Sequence, residues 1–290
     1  MRTLSRLGDY WSLTKPEVNL LIGITTVAGF WLGGTSQGGA VAWVPLVHAL
    51  AGTLLIASGT GTLNQWLEYR FDALMRRTAR RPVAAGRIAP AHALSFGLLL
   101  SIAGAAYLAI ALNVLCSLIA LATLASYLFI YTPLKRKTPL CVLIGALPGA
   151  TPPLIGWAAA TGSLSLNAWM LYAVVFLWQF PHVMAIAWMY RSDYDRAGYA
   201  MLPGSDRGAT LMVWQVMAPL ILLLPLSLLP VVVGRAGPGY LATALVLGVW
   251  FAYRADQLIV QRSAVTARRL LLASVAYLPL LFAGLVADRM

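Results

Sequence analysis

Charge is what this sequence has least of. Only 10% of its 290 residues are Asp, Glu, Lys or Arg, where an ordinary soluble domain carries about a quarter. Hydrophobic residues make up 60%, and mean hydropathy is +0.78. That balance excludes a water-soluble globular chain and implies a polytopic membrane protein. Cysteine is almost missing. Cys116 and Cys141 fall toward opposite ends of neighbouring apolar runs, about a bilayer thickness apart, so no disulfide joins them, and neither has neighbours at metal-ligand spacing. No nucleophile elbow, zinc-ligand cluster, phosphate-binding Walker loop or dinucleotide-type glycine turn occurs, which removes the common hydrolase, zinc-enzyme, nucleotidase and dehydrogenase readings. Low-complexity tracts and soluble linkers are also lacking, so residues 1–290 read as a single domain with a polar N-terminal segment, 1–17. A net charge of +12 would suggest nucleic acid in a soluble chain, but here the basic residues sit in short loops between apolar runs and no nucleic-acid motif accompanies them.

Apolar runs long enough to cross about 30 Å of hydrocarbon lie near 18–34, 43–66, 91–111, 113–132, 142–160, 168–189, 211–233, 239–258 and 269–287. They predict nine transmembrane helices in one all-α bundle around a central cavity. Pro148, Pro152, Pro153, Pro181, Pro219, Pro225 and Pro279 fall inside these runs, as a bundle tolerates when neighbours satisfy the freed carbonyls. With the N-terminus inside, 19 of the 21 Lys and Arg lie on the cytoplasmic side, Arg235 and Arg289 being the exceptions. This partition predicts an inner-membrane protein with its N-terminus inside, its C-terminus outside and its cavity open to the cytoplasm. Eight of the nine acids, all but Asp288, fall on that same side. The first run, with a basic flank and Ala40-Val41-Ala42 downstream, superficially resembles a signal peptide. Its 17-residue polar lead, containing Asp9, Pro16 and Glu17, is long and partly acidic for one, and removing the run would spoil the charge pattern.

Chemistry concentrates in two places. Asn64, Glu68 and Asp72 recur every four residues and so follow one helix face over roughly 12 Å; Arg76, Arg77, Arg80 and Arg81 come straight after them. Oxygen ligands along one face suit Mg²⁺, which takes its remaining ligands from water and phosphate, and arginines hold diphosphate oxygens in bidentate fashion. A solvated loop obeying charge topology fits the same residues. The second cluster, Arg191-Ser192-Asp193-Tyr194-Asp195-Arg196, follows the sixth run as the first follows the second, so both emerge on one side. Helices one to four and five to eight would then form a direct pseudo-repeat, with two acidic clusters facing each other. A lipid-tailed diphosphate suits such a site: the tail lies in the bundle, Mg²⁺ bridges carboxylates to the leaving group, and no protein nucleophile is required. A nine-helix transporter is the non-enzymatic alternative, but the acids avoid the mid-membrane depth where coupling sites usually lie. Lys135, Arg136 and Lys137 either reach the diphosphate or serve topology alone.

The run Asn64-x₃-Glu68-x₃-Asp72-x₂-Met75-x-Arg77-Thr78-x₂-Arg81-Pro82 resembles the first signature of the UbiA-type intramembrane prenyltransferases, and within them the heme O synthase branch. Leu13-Thr14-Lys15-Pro16, Tyr131-Thr132-x-Leu134-Lys135-Arg136-x-Thr138, Ile144-Gly145 with Gly149-Ala150-x-Pro152-Pro153-x-x-Gly156-Trp157, Trp178-Gln179-Phe180-Pro181-His182, and Asp193-Tyr194-x-x-Ala197-Gly198 with Met201-Leu202-Pro203 extend the likeness over most of the chain. The Arg-Thr-x-x-Arg-Pro and Trp-Gln-x-Pro-His runs point to the heme branch over the quinone branches, whose aromatic acceptors remain the alternative. The resemblance implies Mg²⁺-dependent farnesyl transfer from farnesyl diphosphate to a vinyl group of heme B in the lipid bilayer, with heme A synthase a possible downstream partner. Asn64, Glu68, Asp72 and Asp193 would carry the catalysis. Glu68, Asp72, Asp193 and Asp195 would bind metal, and Arg76, Arg77, Arg80, Arg81, Lys135, Arg136 and Arg191 the diphosphate. Two departures stand out: Glu68 where Asp is also common, and Ala200 where Pro is frequent. Of three histidines, His182 lies in the cytoplasmic half of helix six. It either contacts heme, whose iron suits imidazole, or makes a structural hydrogen bond.

Overall fold

The computed structural model of the chain describes residues 2–36, 41–202 and 206–288. Ala40, Pro203 and Arg289, which enter the sequence reading, lie outside them. The polar lead is itself a helix, α1 (Arg2–Leu13), which the charge pattern did not suggest. Its end is pinned: Leu13 is fully buried against Val83, Ile88 and Ala93, and the Gln65 side-chain amide donates to the carbonyls of Ser12 (3.3 Å) and Leu13 (3.2 Å). The chain then reverses at Lys15, which sits in the left-handed region (φ 53°, ψ 62°) before Pro16 opens the next helix. Proline disfavours the right-handed helical state for its predecessor, and a lysine held left-handed stores strain that neighbouring contacts must sustain.

The spans follow as α2 (Pro16–Thr35), α3 (Trp43–Asp72), α4 (Pro90–Ala111) and α5 (Val114–Ala125); α5 runs through a π turn (Ser126–Tyr131) into the short α6 (Thr132–Leu134). The fifth span is broken into α7 (Cys141–Gly149) and α8 (Pro152–Thr161), because Pro152 and Pro153 carry no N–H to continue the ladder. Then come α9 (Leu166–Met189), the single turn and a half of α10 (Arg191–Arg196), α11 (Asp206–Val232), α12 (Pro238–Gln261) and α13 (Ala264–Ala287). Among the described residues nine spans are long and apolar enough to cross a membrane, as the hydropathy runs predict. The last begins at Ala264, five residues before the apolar run, so Arg268 and Arg269 belong to its first turns.

Lipid replaces water around this bundle, so helices associate by close packing rather than by hiding apolar surface. α3 packs on α4, α2 on α8, and α9 on α11 and α13. At the crossing of α2 and α8, Gly29 faces the Pro153 backbone and Gly156 faces the Thr26 carbonyl so closely that a Cβ on either would collide with backbone. Outward, Ile102, Ile110, Phe129, Val246 and Leu272 are exposed, as a lipid-facing surface requires.

Two features place the site. α3 has 30 residues, about 45 Å of helix against about 30 Å of hydrocarbon, so its last turns, bearing Asn64, Glu68 and Asp72, form a rigid post at one end of the bundle. The π turn precedes Pro133, whose ring would clash with the carbonyl four residues back in a regular helix. Thr132 Oγ1 donates instead to the Tyr127 carbonyl (2.9 Å), and the widened turn sets the direction of Tyr127, Tyr131 and Lys135.

Candidate active site

Asn64, Glu68 and Asp72 lie on one face of α3, all buried. Each is already engaged. Glu68 accepts from Lys135 Nζ at both oxygens (3.1 and 3.0 Å), from Tyr199 OH (2.9 Å) and from Asn64 Nδ2 (2.7 Å). Asn64 Oδ1 in turn accepts from Lys15 Nζ (2.7 Å). Asp72 accepts both its bonds from Arg81 NH1 (2.9 and 2.8 Å), and its backbone carbonyl accepts from Thr78 Oγ1 (2.9 Å), which folds the basic loop back over the end of α3.

The second cluster meets the first. Asp193, buried on α10, accepts the Arg77 backbone N–H (3.0 Å) and pairs with Arg196. The Arg77 guanidinium reaches Tyr194 OH (3.3 Å) and lies 4.8 Å from the Tyr190 ring. A backbone bond from Ala200 N to the Lys135 carbonyl (2.8 Å) ties the loop after α10 to the loop after α6. Gly198, at φ +69°, makes the turn that sends Tyr199 toward Glu68.

The other sequence-nominated residues sit differently. Asp195 is exposed beside Asp193, and Arg76 and Arg80 are exposed on the basic loop. Arg136 is exposed and stacks over Phe71 at 4.0 Å. Arg191 folds onto Trp188, at 4.7 Å from its ring, and donates to the Trp188 carbonyl. Lys15, Tyr199 and Arg196 also join the cluster, though the sequence assigns none of them a role. The Thr14-Lys15-Pro16 run was the one available signal for Lys15, since a lysine held before a helix-opening proline is spatially fixed.

Burial sets the electrostatics. Lys15 is pushed down to about 7, first by burial and then by the nearby charges of Arg81 and Lys135. Burial also opposes the charge on Lys135, yet Glu68 against its ammonium, with Tyr131 and Tyr127, holds it well above its ordinary value. The Tyr199 phenol is raised by burial and by the Glu68 carboxylate it donates to.

Lys15 also lines a cavity of about 500 Å³, which runs into the bundle between α2, α3, α5, α7 and α9. Tyr127 and Tyr131 form its wall beneath Lys135, whose Nζ lies 4.6 Å from the Tyr131 ring. Farther in come Ile22, Ile56, Ile155 and Leu278; Trp178 and His182 line the side. His182 Nδ1 is 2.8 Å from Ser274 Oγ, and its ring stacks on Trp178 at 4.8 Å.

No group of three or more Asp, Glu, His or Cys stands ready to hold a metal among the described residues. The donors present are carboxylate and amide oxygens shared with Lys and Arg. This set fits a hard cation that keeps water and draws further oxygens from an incoming phosphate, and it does not fit a self-sufficient protein cage.

A sequence profile of the UbiA prenyltransferase family matches residues 22–281. A protein from Solibacter usitatus called protoheme IX farnesyltransferase is 45% identical over 98% of this chain and 99% of its own length. One of the same name from Koribacter versatilis is 43% identical over 98% of this chain and 94% of its own. Among solved structures, a digeranylgeranylglyceryl phosphate synthase superposes with a TM-score of 0.76 at 16% identity, covering 98% of both chains. A UbiA homologue from Archaeoglobus fulgidus, bound to GPP and Mg²⁺, superposes at 0.63 and 16% identity over 93% of this chain and 99% of its own. At such identities these two structures bear on the fold alone.

Proposed function

As this chain belongs to the UbiA prenyltransferase family, we propose that it moves a farnesyl group from farnesyl diphosphate to a vinyl group of heme B, giving heme O. It is a membrane-embedded prenyltransferase; the choice of donor and acceptor is what is proposed. The observation that carries this choice is the 45% identity, over nearly the whole of both chains, to a relative called protoheme IX farnesyltransferase.

The site supports the reaction residue by residue. Lys15, Arg77, Arg81 and Lys135 ring the end of α3 and supply the positive charge that a diphosphate needs. Glu68, Asp72 and Asp193, with Asn64, are the oxygens that would hold Mg²⁺ beside it. The bound ion would neutralise charge developing on the departing diphosphate. Exposed Arg76, Arg80, Arg136 and Arg191 would form the outer shell of this site, drawing in the anion before it is buried, while exposed Asp195 beside Asp193 would offer the metal a further oxygen.

The cavity takes the tail. Its volume falls in the range of ligand pockets, about 300–1,000 Å³, and its apolar walls keep water from an allylic cation that would otherwise be hydrolysed. The Tyr127 and Tyr131 rings beside the cationic cluster offer π faces to that cation. In the transfer, the allylic C–O bond breaks with its electron pair leaving on diphosphate. The vinyl group supplies the electrons of the new C–C bond, and water adds to the resulting cation with loss of a proton. We place the site at the cytoplasmic face of the bacterial inner membrane, N-terminus inside, from the partition of Lys and Arg. Membranes containing the protein, given labelled farnesyl diphosphate and either heme B or hydroxybenzoate, should label heme only; label in hydroxybenzoate would assign the chain to a quinone branch.

A further inference from the structure

The Ser274 hydroxyl is fully buried on α13 and lies 2.6 Å from the Leu271 carbonyl. A carbonyl can only accept, so the single hydroxyl proton is committed to Leu271. The second neighbour of that oxygen is His182 Nδ1 at 2.8 Å. With its proton spent, Ser274 Oγ can only accept there, and the histidine must donate: Nδ1 carries the hydrogen and Nε2 keeps its lone pair. The same serine fixes the ring a second way. Its backbone carbonyl accepts from Trp178 Nε1 (2.8 Å), and the Trp178 ring stacks on the imidazole with 28° between planes. One face of His182 is thereby covered and one nitrogen occupied, while the residue still lines the 500 Å³ cavity.

We propose that Ser274 is a positioning residue that locks His182 as the Nδ1–H tautomer, so that Nε2 presents a lone pair to the cavity as the axial ligand of the heme iron of the acceptor. Metal-bound histidines typically donate their other nitrogen to such a partner, which fixes the tautomer and raises ligand basicity. An acceptor held by its iron is oriented with its ring edge, and hence its vinyl groups, at a set distance from the helices. The inference rests on heme being the acceptor.

The test titrates heme B into the purified full-length protein in detergent and reads the iron by optical and electron paramagnetic resonance spectra. Wild type should show a nitrogen axial ligand that His182→Ala lacks. Ser274→Ala and Ser274→Cys both keep the backbone carbonyl that anchors Trp178 but lose the hydroxyl oxygen that accepts from His182. In them the nitrogen signature should weaken and heme affinity fall about 10–100-fold, with farnesyl diphosphate affinity unchanged. Two results would overturn the proposal: identical wild-type and His182→Ala spectra, or a full nitrogen signature and wild-type affinity in a folded serine variant whose melting point alone has dropped. The prenyl transfer assay separates this failure from the larger one. If wild type makes heme O while the spectra do not respond, only the Ser274–His182 assignment falls; if heme is never prenylated, the function itself does.

Discussion

Lys15 makes the proposed diphosphate site proton-linked. Its ammonium is half-buried on Asn64 and faces Arg81 and Lys135, and burial together with those charges holds it at about 7. A diphosphate arriving beside it would reverse the local charge and return the group toward its ordinary value of about 10.4. Lowered in the free protein and raised in the complex, Lys15 must take up a proton whenever the ligand binds above pH 7. Affinity should therefore fall as pH rises. With a free-state value of about 7, linkage predicts a loss of roughly 15-fold between pH 7 and 8.5 and uptake of about one proton per ligand at the higher pH. The last ionisation of a phosphate group, near pH 6, is nearly complete over this range and works in the opposite direction. Calorimetric titration of farnesyl diphosphate with Mg²⁺ at both pH values, in two buffers of different ionisation enthalpy, counts the protons directly. Lys15→Arg, permanently charged, should bind with a flat profile. Wild-type binding without proton uptake and with equal affinity at the two pH values would refute the reasoning.

Asp72→Asn and Asp193→Asn should each cost on the order of 2–4 kcal/mol of transition-state stabilisation, about 10²–10³ in turnover; near-normal rates in both would remove the carboxylates from the reaction. Glu68→Gln and Lys135→Met each strand one member of a buried ion pair and should each destabilise the protein by about 3–5 kcal/mol, whereas the double variant should lose clearly less than the sum; additive losses in denaturant unfolding would show that the pair is not coupled. Because Lys135 is held above its ordinary value, that contribution is fully present below about pH 10 and fades only above it. Reporter fusions after Arg80 and Arg262 should read cytoplasmic and a fusion after Ser165 external; the reverse pattern would place the site on the other face of the membrane.

The spans and the carboxylate face were legible because each rests on a strong local period: long apolar runs for the first, i and i+4 spacing for the second. What escaped was created by contacts between distant segments. Lys15 reads in sequence as one more topological charge, and its place in the cluster depends on a left-handed turn and on Asn64, 49 residues away. Tyr199 reads as an interfacial aromatic; only the turn at Gly198 carries it to Glu68. Conversely, Arg191 shares a short run with Asp193, but half a turn of α10 separates their directions, and it stacks on Trp188 instead. The break between α7 and α8 was implicit in Pro152-Pro153, whereas the π turn has no periodic signature, since it differs from the α-helix around it by a single residue.

That single residue makes the aim of Lys135 a matter of counting. A π turn fits one extra residue into a helix by widening, so the chain after Ser126–Tyr131 keeps the direction it would have without that residue. Were the turn to tighten to regular helix with its length unchanged, everything after it would swing about 100° around the axis, carrying Thr132 away from Asn64 and Lys135 away from Glu68 with every side chain of the cluster still present. The protein thus stores part of the specification of its candidate site in the width of one turn, which tightening alone would erase without changing a side chain of the cluster.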